Sequence, residues 1–142
     1  MPNTEDIRAV ALQWIKKAEN DLKNAVHTLK LGEDCPTDTV SFHAQQCVEK
    51  YLKGLLSFRG IDFPKTHNIT ELVALLPAST PVDLAPEEQE LLTDYATVTR
   101  YPGDYDEIPL AEAKRAVKIA RRVRRDVRGL IPREPARRRT KR

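Results

Sequence analysis

Apolar residues recur at steps of three and four along nearly the whole chain, and this periodicity constrains the fold more than any other feature. Ile7, Val10, Ala11, Trp14, Ala18, Leu22, Ala25 and Leu29 share one face of a helix predicted over residues 5–31. Lys and Glu occupy its other face. Gly32 stands where such a helix stops, and Glu33-Asp34-Cys35-Pro36 reads as a loop. A second helix begins near Thr37 or Asp38, either of which has a side chain able to cap it. Its stripe is Val40, Ala44, Cys47, Tyr51, Leu55 and Phe58, and Gly60 ends it. Pro64 turns residues 61–65 into a connector. A short third helix follows, capped near Asn68 or Thr70, with Ile69, Leu72, Val73, Leu75 and Leu76 as its apolar positions. Pro86 opens a fourth, where a first-turn proline is tolerated and Glu87 and Glu88 suit the positive end of the helix dipole. Leu91, Leu92, Tyr95 and Val98 give that helix a face. Tyr101-Pro102-Gly103-Asp104-Tyr105 breaks it. The last helix starts near Pro109, carries Leu110, Ala113, Val117, Ala120, Val123 and Val127, and ends at Pro132.

No segment alternates as a strand does. The expected fold class is therefore all-α: an up-and-down bundle of four long helices plus one short helix, spanning residues 1–131. Residues 132–142 are rich in arginine and lack an apolar pattern, so a disordered basic tail is expected. A chain of 142 residues, 40% of them hydrophobic, suits one domain and buries a core without staples. No apolar run approaches the ~20 residues of a membrane helix. The polar start Met1-Pro2-Asn3-Thr4-Glu5-Asp6 does not read as a secretory signal, so the cytoplasm is the expected compartment. Cys47 falls in a helical apolar pattern and Cys35 in a loop, and no second Cys/His pair has zinc spacing. Neither a metal nor another cofactor is expected. The phosphate-cradling Walker loop and the Gly-x-Ser-x-Gly nucleophile turn are both missing.

The net charge of +3 conceals a split. Residues 1–113 hold ten Lys/Arg against nineteen Asp/Glu, whereas residues 114–142 hold fourteen against two. Such a division fits nucleic-acid contact, an acidic partner or self-complementary assembly, and equally a solvated basic helix with a frayed end.

The second helix carries a polar line as well as an apolar one. His43, Gln46, Lys50 and Lys53 follow at steps of three, four and three, so they share a side, taken to lie opposite the apolar face. Gln45 and Glu49 flank them. Imidazole, amide and ammonium groups in a row suit an anion or a nucleotide, or pair with carboxylates. The same row also fits a solvated face with a weak Glu49–Lys53 pair. A third option is a buried polar seam, because Asp21 lies near the first helix's apolar stripe and needs a partner such as Lys50 or Arg100. Arg100 and Tyr101 open the break after the fourth helix, preceded by Thr97 and Thr99. An arginine beside aromatic rings is a surface for phosphate or base contact, or a packed turn in which Arg100 pairs with Asp21 or Glu49.

Four segments, in order, carry a family likeness: Ala18-Glu19-Asn20-Asp21-Leu22, then Phe42-His43-Ala44-Gln45-Gln46-Cys47-Val48-Glu49-Lys50-Tyr51-Leu52-Lys53, then Thr66-His67-Asn68-Ile69, then Thr99-Arg100-Tyr101-Pro102. Over roughly residues 6 to 130 the chain resembles the HEPN domain family, with the second segment the most specific. The resemblance implies a helical bundle assembled as a homodimer. It also implies a minimal nucleotidyltransferase as partner, in a toxin–antitoxin or related two-gene system. Many members are metal-independent ribonucleases in which an arginine is followed, after four to six residues, by a histidine. The arginine steadies the phosphate and the histidine moves a proton.

Here Arg100 matches the arginine, but Tyr105, Asp106 and Glu107 stand where the histidine would be. Tyr105 is a weak substitute, since an ordinary phenol keeps its proton to about pH 10. The resemblance thus points away from an enzyme. It favours a binding subunit holding a nucleotide or RNA phosphate through His43, Gln46, Lys50, Lys53, Arg100 and Tyr101, with Asp21 and Glu49 as structural polar residues. The alternatives are a ribonuclease with a degenerate motif, using Arg100 and Tyr105, and a nucleic-acid-binding module. The latter would bind through Arg121, Arg122, Arg124, Arg125 and Arg128 of the last helix.

Overall fold

The computed structural model describes residues 4–97 and 107–132. Over these, helices α1 (Thr4–Leu29), α2 (Thr37–Phe58), α3 (Ile69–Ala74), α4 (Pro86–Thr97) and α5 (Leu110–Leu130) form an all-α bundle, with a 3-10 turn at Gly32–Asp34 between α1 and α2. No strand occurs among the described residues, and none of their helices is long and apolar enough to cross a membrane. The break at Tyr101–Tyr105 and the end of the chain from Arg133 lie outside the described residues, and with them Val98 and the disorder expected of the tail.

The apolar stripes meet as their spacing requires. Ala11, Ala18, Leu22 and Ala25 of α1 are buried, as are Ala113, Val117, Ala120, Val123 and Val127 of α5. Val10 is an exception at 47% exposed: it sits off the line through Ala11 and Ala18 and faces solvent. Helix α1 stops at Leu29 rather than continuing to residue 31, and Gly32 takes φ of 71° in the turn that follows. Asn68 caps α3 by accepting from the Glu71 amide at 3.0 Å. The start of α2 differs from expectation. Pro36 occupies the cap position and no side chain caps the helix, while Asp38 bonds only the neighbouring Thr39 amide.

Helix α2 is the centre of the molecule. It packs against α1, α5, α4 and α3, and thirteen of its twenty-two residues are buried. Its supposed outer face is therefore mostly interior. Gly54 is what lets α1 lie close. A Cβ there would stand 3.1 Å from Ile15 Cδ1, 3.2 Å from Trp14 Cβ and 3.3 Å from the Ala11 carbonyl oxygen. Two of those atoms belong to the α1 backbone or the first side-chain carbon and cannot swing away. Gly54→Ala is expected to destabilise the fold by about 1–2 kcal/mol, because overpacking outweighs the ~1 kcal/mol that alanine gains as a helix former. A urea titration reads this directly, and an unchanged or raised midpoint would show that α1 moves aside.

Candidate functional site

Asp21 on α1 is the first point of convergence. Its carboxylate accepts from His43 Nδ1 at 2.8 Å and from Lys50 Nζ at 2.7 Å, joining α1 to two points of α2 about two turns apart. A carboxylate only accepts, so Nδ1 carries the proton and Nε2 is left for another partner. The Lys50 ammonium likewise keeps N–H groups beyond the one directed at Asp21. Both side chains are partly exposed, at 27% for His43 and 23% for Lys50. Phe42 lies edge-on to the His43 ring, 5.6 Å between centroids.

Glu49, adjacent to Lys50 in the chain but buried in the interior, is the second. Lys53 donates to it at 2.9 Å, Gln45 at 3.0 Å and His67 Nδ1 at 3.0 Å. Gln45 also donates to the His67 carbonyl and accepts from Gln46 at 2.6 Å, so Gln46 is tied to the same network. Burial alone would raise the Glu49 carboxyl, but the hydrogen bonds from Lys53, Gln45 and His67 prevail and hold it below the ordinary glutamate range. Lys53 itself is only 7% exposed. Its ammonium lies 5.5 Å from the Trp14 ring centroid and 5.9 Å from that of Phe63, and the two rings meet edge to face. Lys53 thus does not share an accessible surface with His43, Gln46 and Lys50, although the spacing placed all four on one side.

A third cluster joins α5 to α1 and α2. Glu19 of α1 accepts from Arg124 at 2.7 Å, from Arg128 at 3.0 Å and from the Tyr51 hydroxyl of α2. Burial pushes the Glu19 carboxyl up, and these three donors more than reverse it. The same burial and the Glu19 bond raise the Tyr51 phenol well above its usual value. Arg122 pairs with Glu88 of α4 at 2.6 Å and lies 3.7 Å from Asp83. Arg125 lies 3.5 Å from the neighbouring Asp126. Of the five arginines read from the sequence as phosphate contacts, Arg122, Arg124, Arg125 and Arg128 are therefore engaged, and Arg121 makes no ion pair among the described residues.

Arg100, Tyr101 and Tyr105 lie outside the described residues. Among the described ones, Cys35 and Cys47 are free and buried, and no three His, Cys, Asp or Glu side chains are grouped to hold a metal. Burial pushes the Cys47 thiol far up, which makes it unreactive. Sequence reasoning took Gln45 only as a flank of the polar row and passed over His67 and Trp14 as parts of the seam. His67 was visible in the Thr66–Ile69 segment, but nothing in its spacing pointed to Glu49, eighteen residues away.

The result is a helical bundle of HEPN type, with ion pairs built into its central helix. Residues 11–130 match the HEPN domain family, and the chain belongs to it. It is also similar to two solved structures. TT1696 from Thermus thermophilus is 30% identical with a TM-score of 0.69, over 85% of this chain and 98% of that one. ST0689, an archaeal HEPN homologue, is 31% identical with a TM-score of 0.65, over 93% of this chain and all of that one. A comparison with curated proteins returned no match.

Proposed function

We propose that this HEPN protein is a non-catalytic subunit that holds a nucleotide or RNA phosphate and works as a homodimer with a minimal nucleotidyltransferase. The setting is a cytoplasmic, two-gene, toxin–antitoxin-like system. The observation that carries the reading is the convergence of His43 and Lys50 on Asp21. One carboxylate fixes the two side chains together, leaving Lys50 with N–H groups toward solvent and His43 with Nε2, which donates to a phosphate only in the imidazolium form. Phosphate oxygens need such pre-positioned donors. Gln46 shares the helix side of the pair, and the family resemblance adds Arg100 and Tyr101 to the phosphate-binding set. The absence of the family's histidine after Arg100, where Tyr105, Asp106 and Glu107 stand instead, favours this role over phosphodiester cleavage.

The test is co-expression with a minimal nucleotidyltransferase, together with calorimetric titration of ATP. A complex that survives purification at low salt is expected. Lys50→Ala is expected to weaken ATP binding by roughly ten- to a hundredfold, the loss of one charged hydrogen bond. Failure of the two proteins to associate at low salt would remove the partner. Metal-free RNA cleavage abolished by Arg100→Ala would replace the reading with a ribonuclease.

A further inference from the structure

A groove of about 870 Å³ runs between the second half of α1 and the middle of α5, and none of His43, Gln46, Lys50 or Lys53 lines it. Its α1 wall presents Lys23, His27 and Lys30 at steps of four and three, all exposed, and its α5 wall presents Arg121. Lys23, Lys30 and Arg121 make no ion pair among the described residues. Among the described residues Glu19 is the one carboxylate lining the groove, and Tyr51, Arg124 and Arg128 already satisfy it. The groove is therefore cationic without internal compensation.

The charge continues beyond the groove. Lys114, Lys118, Arg121, Arg125 and Arg128 are all exposed and follow at steps of four, three, four and three, so they form one ridge along α5. That ridge is about 21 Å long at the helical rise. Of the two acids of α5, Glu112 accepts from the Tyr95 hydroxyl at 2.5 Å, while Asp126 accepts from the Asp83 amide at 2.9 Å and pairs with Arg125 at 3.5 Å. With Arg128 on Glu19, the ridge cations that make no ion pair among the described residues are Lys114, Lys118 and Arg121. A linear row of cations matches a polymer of regularly repeated anions better than a single small ion. Within the groove, Leu22 and Val26 add apolar surface and Asn20 and Asn24 add amides. Apolar surface for a splayed base and amides for its edge are what a single strand uses and a carboxylate polymer does not.

We infer that the α1–α5 groove and the α5 ridge bind the phosphate backbone of single-stranded nucleic acid. This surface is separate from the Asp21 cluster and uses none of its residues, so it stands or falls independently of the nucleotide-binding reading. Lys23 and Lys30 grip from α1, Lys118 and Arg121 from α5. Arg124 and Arg128 stay on Glu19 and hold the two walls in register.

The experiment is fluorescence anisotropy of the full chain with fluorescein-labelled twelve-nucleotide oligo-U and oligo-dT, from 50 to 200 mM salt. Each phosphate contact contributes about −0.7 to the slope of log affinity against log salt. Replacing Lys23, Lys118 and Arg121 together by glutamine is expected to flatten that slope by about 2 and to lower affinity at 50 mM salt at least tenfold. Lys23→Gln and Lys118→Gln alone, both at exposed positions, are expected to flatten it by about 0.7 each and to leave the circular dichroism unchanged. Lys65→Gln, a charge removal outside the groove, is expected to leave the slope as it is. A wild-type slope in the triple variant would overturn the inference. So would competition by polyglutamate as strong as by RNA of equal charge, which would make the occupant an acidic polypeptide. A preference for duplex over single strands would overturn it as well.

Discussion

Glu49→Ala is expected to destabilise the bundle by about 3–5 kcal/mol, the usual result of removing one partner from a buried pair. The variant leaves the Lys53 ammonium 7% exposed and without its carboxylate, between the rings of Trp14 and Phe63. It also removes one of the two acceptors of the Gln45 amide, and the acceptor of His67 Nδ1. At the scale of this domain the melting temperature should fall by roughly 10–15 °C. The double replacement Glu49→Leu with Lys53→Met is expected to recover most of the loss, since exchanging both charges for apolar groups of similar volume is often neutral. A double variant as unstable as Glu49→Ala would show that His67 and Gln45, rather than Lys53, depend on the carboxylate. The folded Glu49 carboxyl is held below its unfolded value near pH 4.3, so its contribution is complete above about pH 5. It is lost as pH falls through the lower folded value. Glu19 and Glu88 are also lowered and act with the same sign. For Glu88 the leading cause is the hydrogen bond from Arg122. Acid unfolding of Glu49→Ala should therefore show a shallower dependence on pH than the parent, and a parallel curve would refute the assignment.

Asp21→Ala is expected to destabilise by about 2–3 kcal/mol, less than Glu49→Ala because His43 and Lys50 can turn partly to water. Two cation-forming side chains 2.8 and 2.7 Å from a shared carboxylate would lose their acceptor together. The attachment of α1 to two turns of α2 would go with it. Asp21→Asn keeps an acceptor of similar shape but loses the charge, and should recover about half of the stability. Urea unfolding with an unchanged dependence on denaturant is the measurement. If Asp21→Asn and Asp21→Ala fall equally, charge rather than geometry holds the junction. If neither moves the midpoint, the cluster is not structural at all.

The helices were legible because burial leaves a periodic trace: Ala18, Leu22 and Ala25, or Val117, Ala120 and Val123, cannot avoid one face at steps of three and four. The partner of Asp21 was legible for a related reason, since a carboxylate beside an apolar stripe needs a cation and Lys50 was at hand. The environment of Lys53 was not. Glu49 and Lys53 at i and i+4 read alike on a wetted surface and in an interior. What distinguishes them is that α5, α4 and α3 also pack on α2, which a local pattern cannot state. The start of α2 failed differently. Thr37 and Asp38 are both good caps, but Pro36 already supplies extended backbone before the first turn, and Thr37 enters the helix itself. The basic last helix was visible as charge. Which arginines remain free depends on Glu19, more than a hundred residues away from Arg124 and Arg128, and on Glu88 in α4.

The close approach that Gly54 permits has an optical consequence. Trp14 is the only tryptophan of the chain, and it sits where α1 meets α2, with the Lys53 ammonium over its ring. The indole is thus a built-in reporter of the Glu49–Lys53 pair. Its emission senses the α1–α2 seam, whereas far-ultraviolet dichroism averages over every helix. If the bundle melts as one cooperative unit, the two signals share a midpoint. If α1 peels away from α2 first, tryptophan emission changes before helicity is lost.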